Sequence, residues 1–265
     1  MSIVVNTNIG SLNAQRSLAE SSRELSTAME RLSSGKKINS ASDDAAGFAI
    51  AERMTAQVRG LNMATKNAND GLAMLATIEN ATNDVTDMLQ RVRELAVQAA
   101  NDTNSDTDRE YLQLEVDSLL AEINRVSSQT VYNNQNVLDG SRSGTLQVGT
   151  DNGQTIAFNI ESIDTGALGL TNFEVNDSAG NAPGTTGYTS TTSSLSVLDA
   201  GAAAEALDKI SIAIEQVAED RAGYGALANR LEYTVSNLMN VAEFTTAARS
   251  RIEDADFAAE SARLA

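Results

Sequence analysis

Apolar residues recur along most of this chain at alternating steps of three and four, and the longest unbroken run lies near its end. It starts at Leu207 and continues through Ile210, Ile214, Val217, Arg221, Tyr224, Ala228, Leu231, Val235, Leu238, Ala242, Thr245, Arg249 and Ile252. Eleven of these fourteen positions are apolar and the step never slips, which is the pattern of a helix seam built for partner helices. Alone, such a helix would not hold, because the backbone entropy lost in ordering it outweighs what one stripe can bury. The N-terminal half offers partners: Leu72, Leu75, Ile78, Val85, Leu89, Val92 and Ala96 in one segment, then Leu112, Val116, Leu119, Ile123 and Val126 in another. Asn101 to Asp108 reads as the turn between them. A bundle of at least three helices follows.

An earlier stripe, Ala14, Leu18, Ser21, Leu25, Ala28 and Leu32, predicts a helix from about Ile9 to Leu32, with Gly35 after it as a left-handed stop. Ser42-Asp43-Asp44 predicts an N-cap with acids in the first turn of a long helix opening at Ala45. Gly47, Gly60 and Gly71 interrupt that pattern and mark bends or close helix contacts. The middle of the chain changes period. Leu146 and Val148, the Asp151-Asn152-Gly153 turn, then Ile156, Phe158 and Ile160 predict a β-hairpin. From Asn176 to Ser194 the chain is polar, with Pro183 as its only proline, and reads as a solvated loop or small distal cap. Its hydroxyls at Thr189, Ser190, Thr191, Thr192, Ser193 and Ser194 are candidate glycan attachment points. The fold class expected is mainly α: an elongated antiparallel helical bundle with a small β-hairpin region and a polar distal loop.

Composition narrows the chemistry. A net charge of -17 argues against nucleic acid and anionic membranes as partners, since both require clustered Lys and Arg. Cysteine and histidine are both absent, so disulfides, thiolate metal sites, the common zinc helix motif and any Ser-His-Asp arrangement are excluded. Gly35-Lys36-Lys37 lacks the spacing of a phosphate loop, and Asp102 to Asp108 lacks the glycine and terminal glutamate of a calcium loop. The acid pairs Asp43 with Asp44 and Glu253 with Asp254 adjoin helix ends, where carboxylates are ordinary caps. No catalytic, cofactor or metal residue is expected, and an enzymatic reading would rest on carboxylates alone. Met1 to Asn8 is not a usual secretory signal, and no apolar stretch is long enough to span a membrane.

Several blocks resemble bacterial flagellins. The strongest runs from Glu30 to Ala51, ERLSSGKKINSASDDAAGFAIA; others are Leu12-Asn13-Ala14-Gln15, Leu89 to Gln98, Leu146 to Gly149, and Ala248 to Phe257. The resemblance covers about 1 to 175 and 200 to 265. It implies a filament subunit for motility, exported unfolded through the flagellar type III channel without a cleaved signal. It further implies an inner coiled-coil segment at 1-42, a rod domain at 43-173 completed by a helix at 198-255, a polar distal insertion at 174-197, and the start of a C-terminal inner segment at 256-265. Flagellins usually continue past this point into another amphipathic helix, where the export chaperone docks. That chaperone site is therefore expected to be missing here, and inefficient polymerisation and a loosely held first helix are expected of this form.

Further partners follow from the same resemblance. Residues 30 to 51 are similar to the peptide sensed by a plant leucine-rich-repeat receptor kinase, through Glu30, Arg31, Leu32, Gly35, Asn39, Asp43, Asp44 and Gly47. Arg91, Leu95 and Glu115 match the family's contacts with the animal Toll-like receptor. Arg91 and Leu95 stand four apart and share a helix face, displaced from the Leu89, Val92, Ala96 seam, so Leu95 is expected to be partly exposed. The alternative within this class is a hook-filament junction protein, which would share the paired terminal helices and the export route.

Overall fold

Five helices and two small antiparallel strand pairs make up the regular structure of residues 9–170 and 195–264, the part described by a computed structural model. The helices are α1 (Ile9–Ser34), α2 (Ala45–Ala99), α3 (Asp106–Gln129), α4 (Ala200–Glu253) and α5 (Phe257–Leu264). Between α3 and α4 lie β1 (Val131–Tyr132), β2 (Gln135–Asn136), β3 (Ser143–Gln147) and β4 (Thr155–Asn159). The chain divides into two compact units, Thr65–Ser236 and Met1–Ala64 with Asn237–Ala265.

The larger unit is organised by heptad columns. None of the nine α4 seam positions from Leu207 to Val235 is exposed, and the buried ones, Ile210, Val217, Tyr224 and Leu231, fall every seven residues. On α2 the buried positions Ala68, Gly71, Leu75, Ile78, Thr82, Val85, Leu89, Val92, Ala96 and Ala99 keep the three-four step without a slip. Val116, Leu120 and Ile123 of α3 complete the interior, which holds Leu89 and Leu231 in one continuous core. The smaller unit has a slighter core of Leu61, Ala64 and Leu238 with Ala242 against it.

Helix ends are closed by side chains. Ser105 accepts a hydrogen bond from the Asp108 amide while the Asp108 carboxylate accepts from the Ser105 amide, a complete capping box for α3. The buried Arg109 guanidinium donates to the carbonyls of Ala99 and Asn101 at 3.0 and 3.3 Å, serving the C-terminal carbonyls of α2 that lack helical partners. At the start of α2 the expected arrangement is corrected: the first turn carries no acid. Asp44 is itself the cap, its Oδ1 accepting from the amides of Ala46 and Gly47 at 3.1 and 3.0 Å. Helix α2 runs unbroken through all three glycines. At Gly71 the reason for glycine is close contact, since a Cβ there would stand 2.5 Å from Leu146 Cδ1.

The expected hairpin is β3–β4, with Leu146 opposite Ile156 and Gly144 opposite Phe158, and with Gly153 at φ +87 in its return. A second, shorter reversal joins β1 to β2 through Asn133 and Asn134, both at positive φ. Asparagine tolerates that conformation, and a paired Asn-Asn between short strands is its sequence signal. The core also takes in Ile160, the last apolar position of the expected hairpin alternation, and Ile163, Leu168, Leu170, Leu195 and Val197, which follow no period. Side-chain amides of α3 hold these stretches. Asn124 Oδ1 accepts from the amide and hydroxyl of Thr165, and Gln113 both donates to Leu195 O at 2.8 Å and accepts from Val197 N at 2.7 Å. Of the insertion expected at 174-197, Leu195, Ser196 and Val197 are described and are buried; its other residues, with the tract Thr189 to Ser194, lie outside the described residues.

Candidate functional site

Two surfaces collect the residues singled out in the sequence. The first lies on α2 and α3. Arg91 donates from Nε to Glu115 Oε1 at 2.9 Å, a second guanidinium nitrogen reaches the same carboxylate at 2.8 Å, and a third pairs with Glu94 at 2.9 Å. The hydrogen bonds it donates to Glu94 and Glu115 raise the Arg91 pKa above its ordinary value and leave it a fixed cation. Arg91 and Glu115, 24 residues apart in sequence, thus form one exposed polar pair.

Leu95 departs from expectation. It is 1% exposed and belongs to the core of the larger unit. The reason is a third column on α2, Met74, Ala81, Met88 and Leu95, spaced by seven and flanking the main seam. A helix packed on more than one neighbour buries a stripe wider than two columns, so displacement from the seam did not mean exposure.

The second surface is the turn from the end of α1 to the start of α2, in the smaller unit. Gly35 adopts φ +69 and its amide donates to Arg31 O at 2.9 Å, the left-handed stop anticipated for α1. The Asp43 carboxylate accepts from the amides of Asn39 and Ser40 at 3.0 and 2.9 Å, and those bonds lower its pKa. Asn39 Nδ2 donates to Lys36 O at 3.2 Å. Gly47 is buried, and a Cβ there would lie 2.5 Å from Asp44 Oδ2 and 2.7 Å from Ile38 Cδ1. Arg31 reaches Glu260 at 3.1 Å, Glu30 is exposed, and Leu32 is half-buried.

Residues that sequence reasoning did not single out tie this turn to the end of α4. The amide of Lys37 donates to Glu253 O at 2.6 Å, that of Ala255 donates to Gly35 O at 3.0 Å, and the Lys36 ammonium pairs with the Glu253 carboxylate. Glu260 of α5 is buried between Arg31 and Arg263. No local pattern could have announced the pairs of Arg31 with Glu260 and Lys36 with Glu253, because their members are more than 200 residues apart. The acid pairs noted in the sequence are engaged in structure: Asp43 and Asp44 in the turn, Glu253 with Lys36, and Asp254 with Ser250. Among the described residues no cluster of acids is arranged to hold a metal ion, and no helix is long and apolar enough to cross a membrane.

The first helix presents a different surface. Of its stripe only Ala28 is buried and Leu32 half-buried; Leu18 and Leu25 stand exposed, as does Leu12 outside the stripe.

Comparison with known proteins agrees along nearly the whole chain. The family model for the bacterial flagellin N-terminal helical region matches residues 5–143, and that for the bacterial flagellin C-terminal helical region matches residues 207–265. A flagellin of Halalkalibacterium halodurans is 39% identical over 259 residues, covering 97% of this chain and 88% of that protein. The phase 1 flagellin of Salmonella naestved is 50% identical over 176 residues, covering 66% of this chain and 35% of that longer relative. Among solved structures, Bacillus cereus flagellin matches with a TM-score of 0.51 at 25% identity, over 65% of this chain and 88% of that one. A chain from Vibrio parahaemolyticus designated a flagellar hook-associated protein matches with a TM-score of 0.62 at 14% identity, over 80% of this chain and 100% of that one, a likeness of fold alone.

Proposed function

Because the chain belongs to the bacterial flagellin family, we propose that it is a structural subunit of the flagellar filament, exported to the outside of the cell and joined there to further copies of itself. The observation that carries this is identity to a flagellin along 97% of the chain, on a fold whose α2 and α4 seams share one core. Head-to-tail contact that does not close on itself builds a filament, so the subunit must present surfaces that are not its own partners. The exposed leucines of α1 are suited to that use. The hook-filament junction alternative rests on a likeness of fold at 14% identity, whereas the flagellin match extends to residue identity along the chain. A bacterium whose sole flagellin carries this sequence is expected to bear filaments visible by electron microscopy; a bare hook would overturn the assignment. The family is structural, and we assign this member no catalytic role.

Immune recognition is the finer part of the proposal. The Arg91 and Glu115 pair is an exposed polar feature that an animal Toll-like receptor can read, with Leu95 supporting the helix from beneath and not touching the receptor. Arg91→Ala or Glu115→Ala in soluble protein is expected to lower receptor activation; unchanged signalling sinks the assignment. For the plant receptor kinase, the engagement of Arg31, Asn39, Asp43, Asp44 and Gly47 within the fold supports recognition of a released peptide. A peptide of residues 30–51 is expected to elicit a stronger response than the same molar amount of folded chain. Export through the flagellar channel is part of the same reading, tested by loss of the extracellular protein from a strain lacking that apparatus.

A further inference from the structure

The junction between α4 and α5 is braced from both sides. Upstream, the Asp254 amide donates to Ser250 O at 2.9 Å and so continues the last turn of α4. Downstream, the Asp256 carboxylate accepts from the Ala258 amide at 2.9 Å and caps α5. Residues 253–255 between them therefore keep their place without help from the turn that follows α1.

They lie along that turn as a single antiparallel bridge, with Lys36 opposite Asp254. Gly35 O accepts from the Ala255 amide, and Glu253 O accepts from the amide of Lys37 and, at 3.4 Å, from that of Ile38. The Glu253 carboxylate pairs with the Lys36 ammonium, and Arg249 approaches it at 3.9 Å. On α5, Glu260 takes Arg31 at 3.1 Å. Ile38 is buried. Within residues 30–51, Arg31 and the run from Gly35 to Ile38 are thus held by groups more than 200 positions away.

A receptor that takes residues 30–51 as a separate peptide meets them in the folded chain only when this bridge is open, so its affinity is scaled by the open fraction. We infer that residues 253–255 are a clasp over the segment read by the plant receptor kinase, and that opening of the clasp sets how much of that segment the folded chain presents. The inference rests on the released-peptide reading and adds to it the contact that controls release.

The clasp can be locked or loosened. Its main-chain bonds run on either side of the Lys36 and Asp254 pair and none joins the two, so their side chains stand at the closer antiparallel spacing, within disulfide reach. The chain has no cysteine, so Lys36→Cys with Asp254→Cys introduces one cross-link alone. The oxidised double variant is expected to bind the immobilised receptor ectodomain about tenfold or more weakly than the same protein after reduction and desalting. Ala255→Pro deletes the donor to Gly35 O and favours extended backbone at Asp254. It is expected to bind about three- to tenfold tighter than the parent, the range for loss of one hydrogen bond, with faster exchange of the Lys37 amide and an unchanged circular-dichroism melt. If Ala255→Pro does not fold, the oxidised and reduced forms still decide. Equal binding of those two forms while a 30–51 peptide carrying Lys36→Cys binds, or parent-like binding of folded Ala255→Pro, would overturn the inference and leave the released-peptide reading intact. Failure of the unaltered 30–51 peptide to bind overturns that reading and the inference with it.

Discussion

The apolar stripe of α1 and the seam of α4 are written in the same three-four step, yet their environments are opposite. In α4 every seventh residue from Ile210 to Leu238 is buried, while Leu18 of α1 is 74% exposed and Leu25 is 51% exposed. The difference lies in what faces them: the α4 seam meets α2 and α3 in a continuous core, and only the last turns of α1 meet the eight residues of α5. Periodicity thus identifies the face of a helix that seeks a partner, and says nothing of whether the partner is on the same chain. In a filament subunit that distinction divides positions that fold the molecule from positions free to join it to others.

The comparison is most sharply tested by truncation on each side. Leu231→Ala removes a wholly buried side chain and is expected to destabilise the larger unit by about 2–5 kcal/mol in urea or thermal unfolding. Leu18→Ala is expected to stay within about 0.5 kcal/mol of the parent in the same measurement; a comparable loss at both positions would erase the distinction. Next in size is Asp44→Ala. Loss of its two amide bonds at the start of α2 is expected to cost about 1 kcal/mol, read as a lower midpoint in chemical denaturation.

A third test uses pH. Asp220, on α4, has its Oδ2 enclosed without a partner, and burial first, then the charges of Glu161 and Glu219, raise its pKa above the ordinary 3.8. The folded state therefore binds this proton more tightly than the unfolded state, and the stability it confers is present at low pH and lost as pH rises through the raised value. Asp220→Asn is expected to melt higher than the parent at pH 7, with the advantage gone at pH 3. An equal gain at both pH values would show that charge is not the cause. Little change in stability is expected either at Glu115→Ala, whose pair with Arg91 is exposed, so its thermal midpoint should stay close to the parent's whatever happens to receptor recognition.

Much of this was legible in the residues. The α4 run, the stop at Gly35 and the β3–β4 reversal follow from spacing and turn chemistry, because each is decided within a few residues. Less legible were the aperiodic core residues from Ile163 to Leu170, held at Thr165 by Asn124 of α3, and the burial of Leu95. The latter could have been read from Met74, Ala81, Met88 and Leu95 taken together, since a column spaced by seven beside a seam signals a second packing surface. The candidate sites divide in the same way. The resemblance named Arg91 and Glu115, but their direct pairing appears only once α2 and α3 lie side by side.

By itself, then, the sequence determined the helical class, the faces that pack, the absence of histidine and cysteine chemistry, and the flagellin kinship. Only the tertiary structure decided how many neighbours surround each helix, that the Gly35 turn is tied to Glu253 and Ala255, and that Leu95 is buried. The physical reason is range. Period, capping and turn preference act over one or two helical turns, whereas burial and ion pairing depend on which distant segments arrive at the same place.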